Sequence, residues 1–258
     1  MGLCITYSLL LKGATRQEVR ELLGELHREA GELSLEDLEE LVDLEGEACH
    51  LLKGDPKTPD PDFKVKFGAM TMEDLAVIHN RGKERIPSCK NLIGFEVFPG
   101  AGCSTCTFGL ASQAATPDEW QWYDYCKTQY ASSPEYGGLE HFLKCHLAVT
   151  KILDGCQRLG ILEDVSDESG YWEERKLEGL IDCLSRYNFF TAAAIGTAKD
   201  LLEPLGYKAE APILNRPDFE HLEARGRSAP PAWEAPTAPA PPEAEKKPEV
   251  GENPEAES

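Results

Sequence analysis

Cys103 and Cys106 stand at C-x-x-C spacing directly behind the turn Pro99-Gly100-Ala101-Gly102. One such turn presents two thiolates to a single ion, and zinc ribbons use glycine-rich turns of this kind. His141 and Cys145 lie four residues apart in a stretch of helical period, so both project to one side. The four together would make a Cys3His tetrahedron, the pattern of structural zinc, with Cys126 or His146 able to replace a member. The competing reading is plain core packing. Free cysteine is among the most buried residue types, and no second C-x-x-C reinforces the metal pattern.

Two other chemistries use the same residues. Thiol redox at the C-x-x-C would want a helix N-terminus to lower the attacking thiol's pKa, whereas Thr107 to Leu110 reads as strand. A Cys–His enzyme would take Cys126 as nucleophile, His141 or His146 as base, and Asp164, Asp167 or Glu168 as orienting acid. No nucleophile elbow supports it. The chain also lacks G-x-G-x-x-G, a Walker loop, H-E-x-x-H and an EF-hand loop. Asp164 to Glu168 (DVSDE) reads as a solvated turn rather than a cation loop.

The remaining candidate is a surface. Trp120 and Trp122 alternate with Tyr123 and Tyr125, and Tyr130, Tyr136, Tyr171 and Trp172 follow. Aromatic side chains at this density line ligand pockets and interfaces, as well as cores. Trp120, Trp122, Tyr125, Tyr130, Tyr171 and Trp172 form the expected ligand or partner surface.

The elements that must position these residues follow from periodicity. Residues 3–11 alternate as a half-buried strand. Thr15 and Glu18 form a capping box for a helix with Val19, Leu22, Leu23, Leu26 and Ala30 on one face. Ser34 and Asp37 open a second, shorter helix with Leu35, Leu38, Leu41 and Val42. Residues 53–62 read as an exposed loop, 63–67 as an edge strand, and Thr71 as the cap of a helix. That helix leads to a basic cluster of Arg81, Lys83, Arg85 and Lys90. Residues 92–98 read as a strand buried on both faces, hairpinned to 105–111, with a third strand from Trp120. A helix over 139–159 ends at Gly160. A short strand, ILEDV, precedes a last long helix from about Glu173, ended by Pro204 and Gly206. The order predicts an α+β domain over residues 1–225: a mainly antiparallel sheet covered by helices, in a ferredoxin-like β-α-β-β-α-β arrangement with inserted helices and a C-terminal helix. Residues 226–258 are rich in Pro, Ala and Glu and read as a disordered acidic tail.

Charge and length bound the function. The 258 residues carry a formal net charge of -20. Nucleic acid and anionic membrane surfaces both require a basic footprint, so neither is expected as a partner. No segment is long and apolar enough to span a bilayer, and Met1-Gly2 with Thr6 is a weak myristoylation pattern set in a core strand. Nine cysteines without a secretory signal fit reduced thiols in the cytoplasm. The expectation is a cytoplasmic binding protein, without a cofactor, that engages a protein partner or small ligand through its aromatic strand. The alternatives are a zinc protein (Cys103, Cys106, His141, Cys145) and a Cys126–His146 enzyme.

Overall fold

The computed structural model describes residues 3–49 and 89–228. The expected strand at 63–67, the helix after Thr71, the basic residues 81–85 and the tail beyond Ser228 lie outside them. The described residues up to Arg227 belong to one compact unit.

Strand β1 (Cys4–Lys12) turns Ile5, Tyr7 and Leu9 inward, as its alternation requires. The Thr15–Glu18 capping box then starts helix α1 (Arg16–Ala30), which buries Val19, Leu23, Leu26 and Ala30. Next come β2 (Asp37–Leu38), β3 (Val42–Glu45), β4 (Cys89–Phe98), β5 (Cys106–Gln113) and β6 (Glu119–Lys127). Helix α2 (Gly138–Arg158) leads to β7 (Leu162–Asp167), α3 (Tyr171–Glu174), α4 (Leu177–Leu202) and α5 (Phe219–Ser228). The described strands form one sheet in the order β2-β4-β5-β6-β1-β7, with β3 also paired to β4. Every pairing is antiparallel. The fold class is therefore α+β, an antiparallel sheet with helices. No helix among the described residues is long and apolar enough to cross a membrane.

Register sorts the side chains. Leu11, Leu9 and Ile5 of β1 stand opposite Trp120, Trp122 and Cys126 of β6. They share the inner face with Phe95, Phe108 and Leu110, under α1 and the α2 residues Val149, Ile152, Leu153 and Cys156. Each such side chain fully buried contributes about 1.5–3 kcal/mol, so both helices are held mainly by this face. The ladder between β5 and β6 pairs at Ala111–Gln121 and Ser112–Trp120. Further along, side chains join the two strands. The Asp124 carboxylate accepts the Thr107 N–H at 2.6 Å, and the Tyr7 hydroxyl donates to the Thr107 carbonyl at 2.6 Å. Backbone pairing returns where Ser104 N–H donates to the Lys127 carbonyl.

Two expectations need correction. The helix expected from Ser34 is instead the strands β2 and β3. Both pair with β4, and Leu38 and Val42 pack on the core from extended chain. A nine-residue stretch gains little as an isolated helix, while the β4 edge offers a full row of backbone partners. The last long helix is not continuous: Arg175 at φ 55° breaks it between α3 and α4, and Leu177 faces solvent. Helix α5 runs through Arg225 and closes the described residues at Ser228.

Candidate functional site

The turn after β4 and the first turns of α2 bring together three of the four residues expected to hold zinc. On α2, His141 and Cys145 share a face as their spacing requires. The His141 Nε2 lies 3.6 Å from the Cys145 Sγ and 3.0 Å from the Ala101 carbonyl. A carbonyl only accepts, so this Nε2 carries the hydrogen and meets the sulfur as a donor. Cys103 packs from the turn against the buried cluster that holds Cys145. The neighbouring Cys103 thiol lowers Cys145 below its usual range, with Lys144 adding a smaller pull, while Cys145 and burial push Cys103 upward. In its thiol form Cys145 donates to the Pro99 carbonyl at 3.4 Å. Cys145 is fully buried; Cys103 is half-buried.

Two glycines let the turn come this close. A Cβ at Gly100 would lie 2.7 Å from the Cys145 Sγ and 2.7 Å from the His141 Cε1. Gly102 has φ +82°, and a Cβ there would lie 2.6 Å from the Tyr130 carbonyl oxygen. Both side chains would be excluded by contact, and the second by backbone conformation too.

Cys106 does not join this group. It alternates inward on β5, opposite Val97, and its hydrogen-bonded thiol neighbour is Cys126. The C-x-x-C is therefore split, each member facing a thiol from another element. The Cys126 thiol is pushed well up, first by Cys106 and then by burial, and it donates to the Ser104 carbonyl at 3.3 Å. Among the described residues no group of three or more His, Cys, Asp and Glu is arranged to hold a metal ion.

Nor does the structure bring Cys126 to His146. The His146 ring is fully buried one residue after Cys145, on another side of α2. Its Nδ1 lies 3.0 Å from the Thr128 Oγ1 and its Nε2 3.3 Å from the Asp167 Oδ2. Both ring nitrogens are thus engaged. Asp167 accepts further bonds from Ser169 N–H and Oγ and from Trp172 N–H. Burial raises this carboxyl, but the bonds from His146 and Ser169 outweigh it, and the net shift is downward. The residue types are those of a catalytic triad, yet the hydroxyl belongs to a fully buried threonine. The arrangement joins the end of β6, α2 and β7.

The six residues of the expected aromatic surface do not share one. Trp120 and Trp122 are core residues, and the Trp120 Nε1 donates to the Ala14 carbonyl. Tyr130 packs with Ala192, Ile213 and Leu222 beside α4. Tyr171 and Trp172 lie half-buried under the Arg175 guanidinium, which sits 4.2 Å above the Trp172 ring. Tyr125 is 43 % exposed, with the Lys127 ammonium over its ring.

Two features escaped the sequence reading. Asp124 is pushed up to about 6 by burial, which outweighs the downward pull of its bonds from Tyr125 and Thr107. Its position in the alternation marks it as an acid on the inner face of β6, the one signal available. Gln129, buried after β6, bonds the Leu3 N–H, Asn188 and Thr191. Ser132 beside it accepts from Asn188 and Arg216, anchoring α4 and the chain before α5. An open cleft of about 410 Å³ lies at the opposite end of the sheet, lined by Thr15, Arg16, Glu45, Lys90, Asn91 and Trp120. Its Arg16 is already paired with Asp43 and Glu45.

Compared with protein-family models, curated proteins and solved structures, the chain matches none.

Proposed function

We propose that the chain is a cytoplasmic binding protein, not a catalyst, and that it engages a basic segment of a protein partner on the sheet face opposite α1 and α2. The carrying observation is the division of β6. Trp120 and Trp122 are spent on the core, while Tyr125 on the other face is 43 % exposed. Its neighbours there are half-exposed: Tyr123 and Gln121 on β6, Thr6 and Ser8 on β1. Asp164 of β7 stands beside Ser8 and is exposed. Tyrosine offers wide amphipathic contact with only two torsions to fix, which suits recognition. The acidic edge and the net charge of -20 favour a lysine- or arginine-rich partner. Eight of the nine cysteines are free thiols, which supports a reducing compartment.

In this reading β1, α1, β5, β6, α2 and β7 are a ferredoxin-like frame, with β4 added beyond β5. The strand order β5-β6-β1-β7 supports it. Such a frame carries no function by itself.

Panning a random-peptide phage library on the purified chain tests the proposal. Basic peptides should be enriched, bind more weakly as salt rises, and lose binding to a variant carrying Tyr123→Ala and Tyr125→Ala. Enrichment without basic residues, or binding that survives the double substitution, would overturn it.

A further inference from the structure

We propose that the basic partner segment binds in extended form, as a strand added to the open edge of β7, with an apolar residue opposite Val165 and a basic one opposite Asp164. This mode rests on the partner class proposed above and adds how that partner is held. Among the described residues β7 ends the sheet, paired on one side with β1. Residues of an antiparallel pair point their backbone groups toward and away from the partner by turns, so one hydrogen bond sets the phase of the ladder. The Glu168 N–H donates to the Cys4 carbonyl, which makes Thr6–Ser166 and Ser8–Asp164 the bonded pairs. The Thr128 N–H donates to the Leu3 carbonyl, so the odd-numbered residues of β1 bond β6 instead, in the same phase. Val165 therefore aims its N–H and C=O away from β1, and no other described residue bonds either group. Two such groups on an edge are a template for another strand.

Charge chooses the occupant. Glu163, Asp164 and Glu168 are exposed along this stretch, while Arg175 beyond it is held by Asp154 and the Trp172 ring. A second copy paired antiparallel about Val165 would set Glu163 opposite Asp167, and like charges across a ladder are destabilising. A basic segment meets the same carboxylates as attraction. Alternation sets the rest. Asp164 and Ser166 stand in the cross-strand rows Tyr123–Ser8–Asp164 and Tyr125–Thr6–Ser166, so the segment's basic side chains extend the tyrosine face. Val165 points the other way, half-buried against the core, and favours an apolar neighbour. The ladder shifts register between Ser8 and Leu9, which ends the regular part of the edge. The added pairing is therefore short, and its binding leans on charge.

The probe is the end-capped peptide Lys-Val-Lys-Val-Lys-Val-Lys, added to the full chain. Two relatives of it carry N-methyl groups, one on the valine nitrogens and one on the inner lysine nitrogens. Valines opposite Val165 point their N–H groups at β7, and the lysines point theirs away. Methylated valines should therefore weaken binding about tenfold, while methylated lysines leave it unchanged. Hydrogen exchange of the Val165 amide should slow when the unmodified peptide binds. Glu163→Gln with Asp164→Asn should weaken binding about two- to fivefold. Val165→Pro, at an edge where proline is tolerated, should weaken it about fivefold. The methylated peptides decide on wild-type protein even if a variant fails to fold. Equal binding of both methylated peptides, or an unchanged Val165 amide, overturns strand addition. If that binding is still lost with Tyr123→Ala and Tyr125→Ala, the tyrosine-face reading stands without it. No binding of the unmodified peptide also overturns the proposal, and the phage panning then decides the partner class by itself. A Val165 amide that slows with protein concentration alone overturns it in favour of a second copy.

Discussion

Cys145 and His146 are neighbours on one helix and face two different problems. His146 sits in a saturated site: both ring nitrogens are engaged, and its partner Asp167 has every near contact supplied from Ser169 and Trp172. Cys145 sits in a site held by sulfur contacts of 3.4 and 3.6 Å and by a glycine-rich turn. The difference teaches where chemistry has room. A fully satisfied buried network rigidifies the fold. The site at Cys145 is held instead by the close packing of Gly100 on its sulfur and on the His141 ring.

Removing a ring from the saturated site should give the largest effect. His146→Ala leaves the Asp167 carboxylate buried without its main partner, a loss of about 3–5 kcal/mol. Cys145→Ser keeps a donor for the Pro99 carbonyl and should cost only about 1 kcal/mol. Urea denaturation of both variants checks the contrast. Equal losses would mean that the two sites do the same structural work.

Acid should act on the saturated region and on Asp124 with opposite signs. The Asp167 pKa is lowered in the fold, so its contribution is complete above the unfolded value of about 3.9 and is lost as pH falls through the lower folded value. Asp124 is pushed up to about 6, so between roughly pH 4 and 6 the folded state binds more protons than the unfolded one. Stability from this group therefore falls as pH rises through that window, by up to about 3 kcal/mol at ~1.4 kcal/mol per pKa unit. In Asp124→Asn the slope between pH 4 and 6 should flatten, whatever the variant's absolute stability. An unchanged slope would place that titration elsewhere.

Much of this was legible before any coordinates. The alternation of β1 and of β6 assigned Trp120 and Trp122 to one face and Tyr125 to the other, and four-residue spacing put His141 beside Cys145. Periodicity is local, and so were these successes. It could not say which face of β6 is inner, so Trp120 and Trp122 entered the expected surface although both are core. It could not separate Cys106 from Cys103 either, because their divergence depends on where the turn ends and the strand alternation begins. The Ser34 to Val42 stretch has a helical pattern that only the open β4 edge overrules.

The turn itself supplies the smallest and most selective perturbation. In Gly100→Ala the new methyl would sit 2.7 Å from both the Cys145 sulfur and the His141 ring, well inside contact distance. Gly100 is not among the residues of positive φ, so the backbone accepts alanine and the cost is overpacking alone, about 1–3 kcal/mol. The turn must shift away from α2, and Cys103 shifts with it. Urea denaturation should show that loss, while the pH dependence owed to Asp167 stays unchanged. A stability equal to wild type would mean that the turn moves away from Cys145 and His141 at no cost.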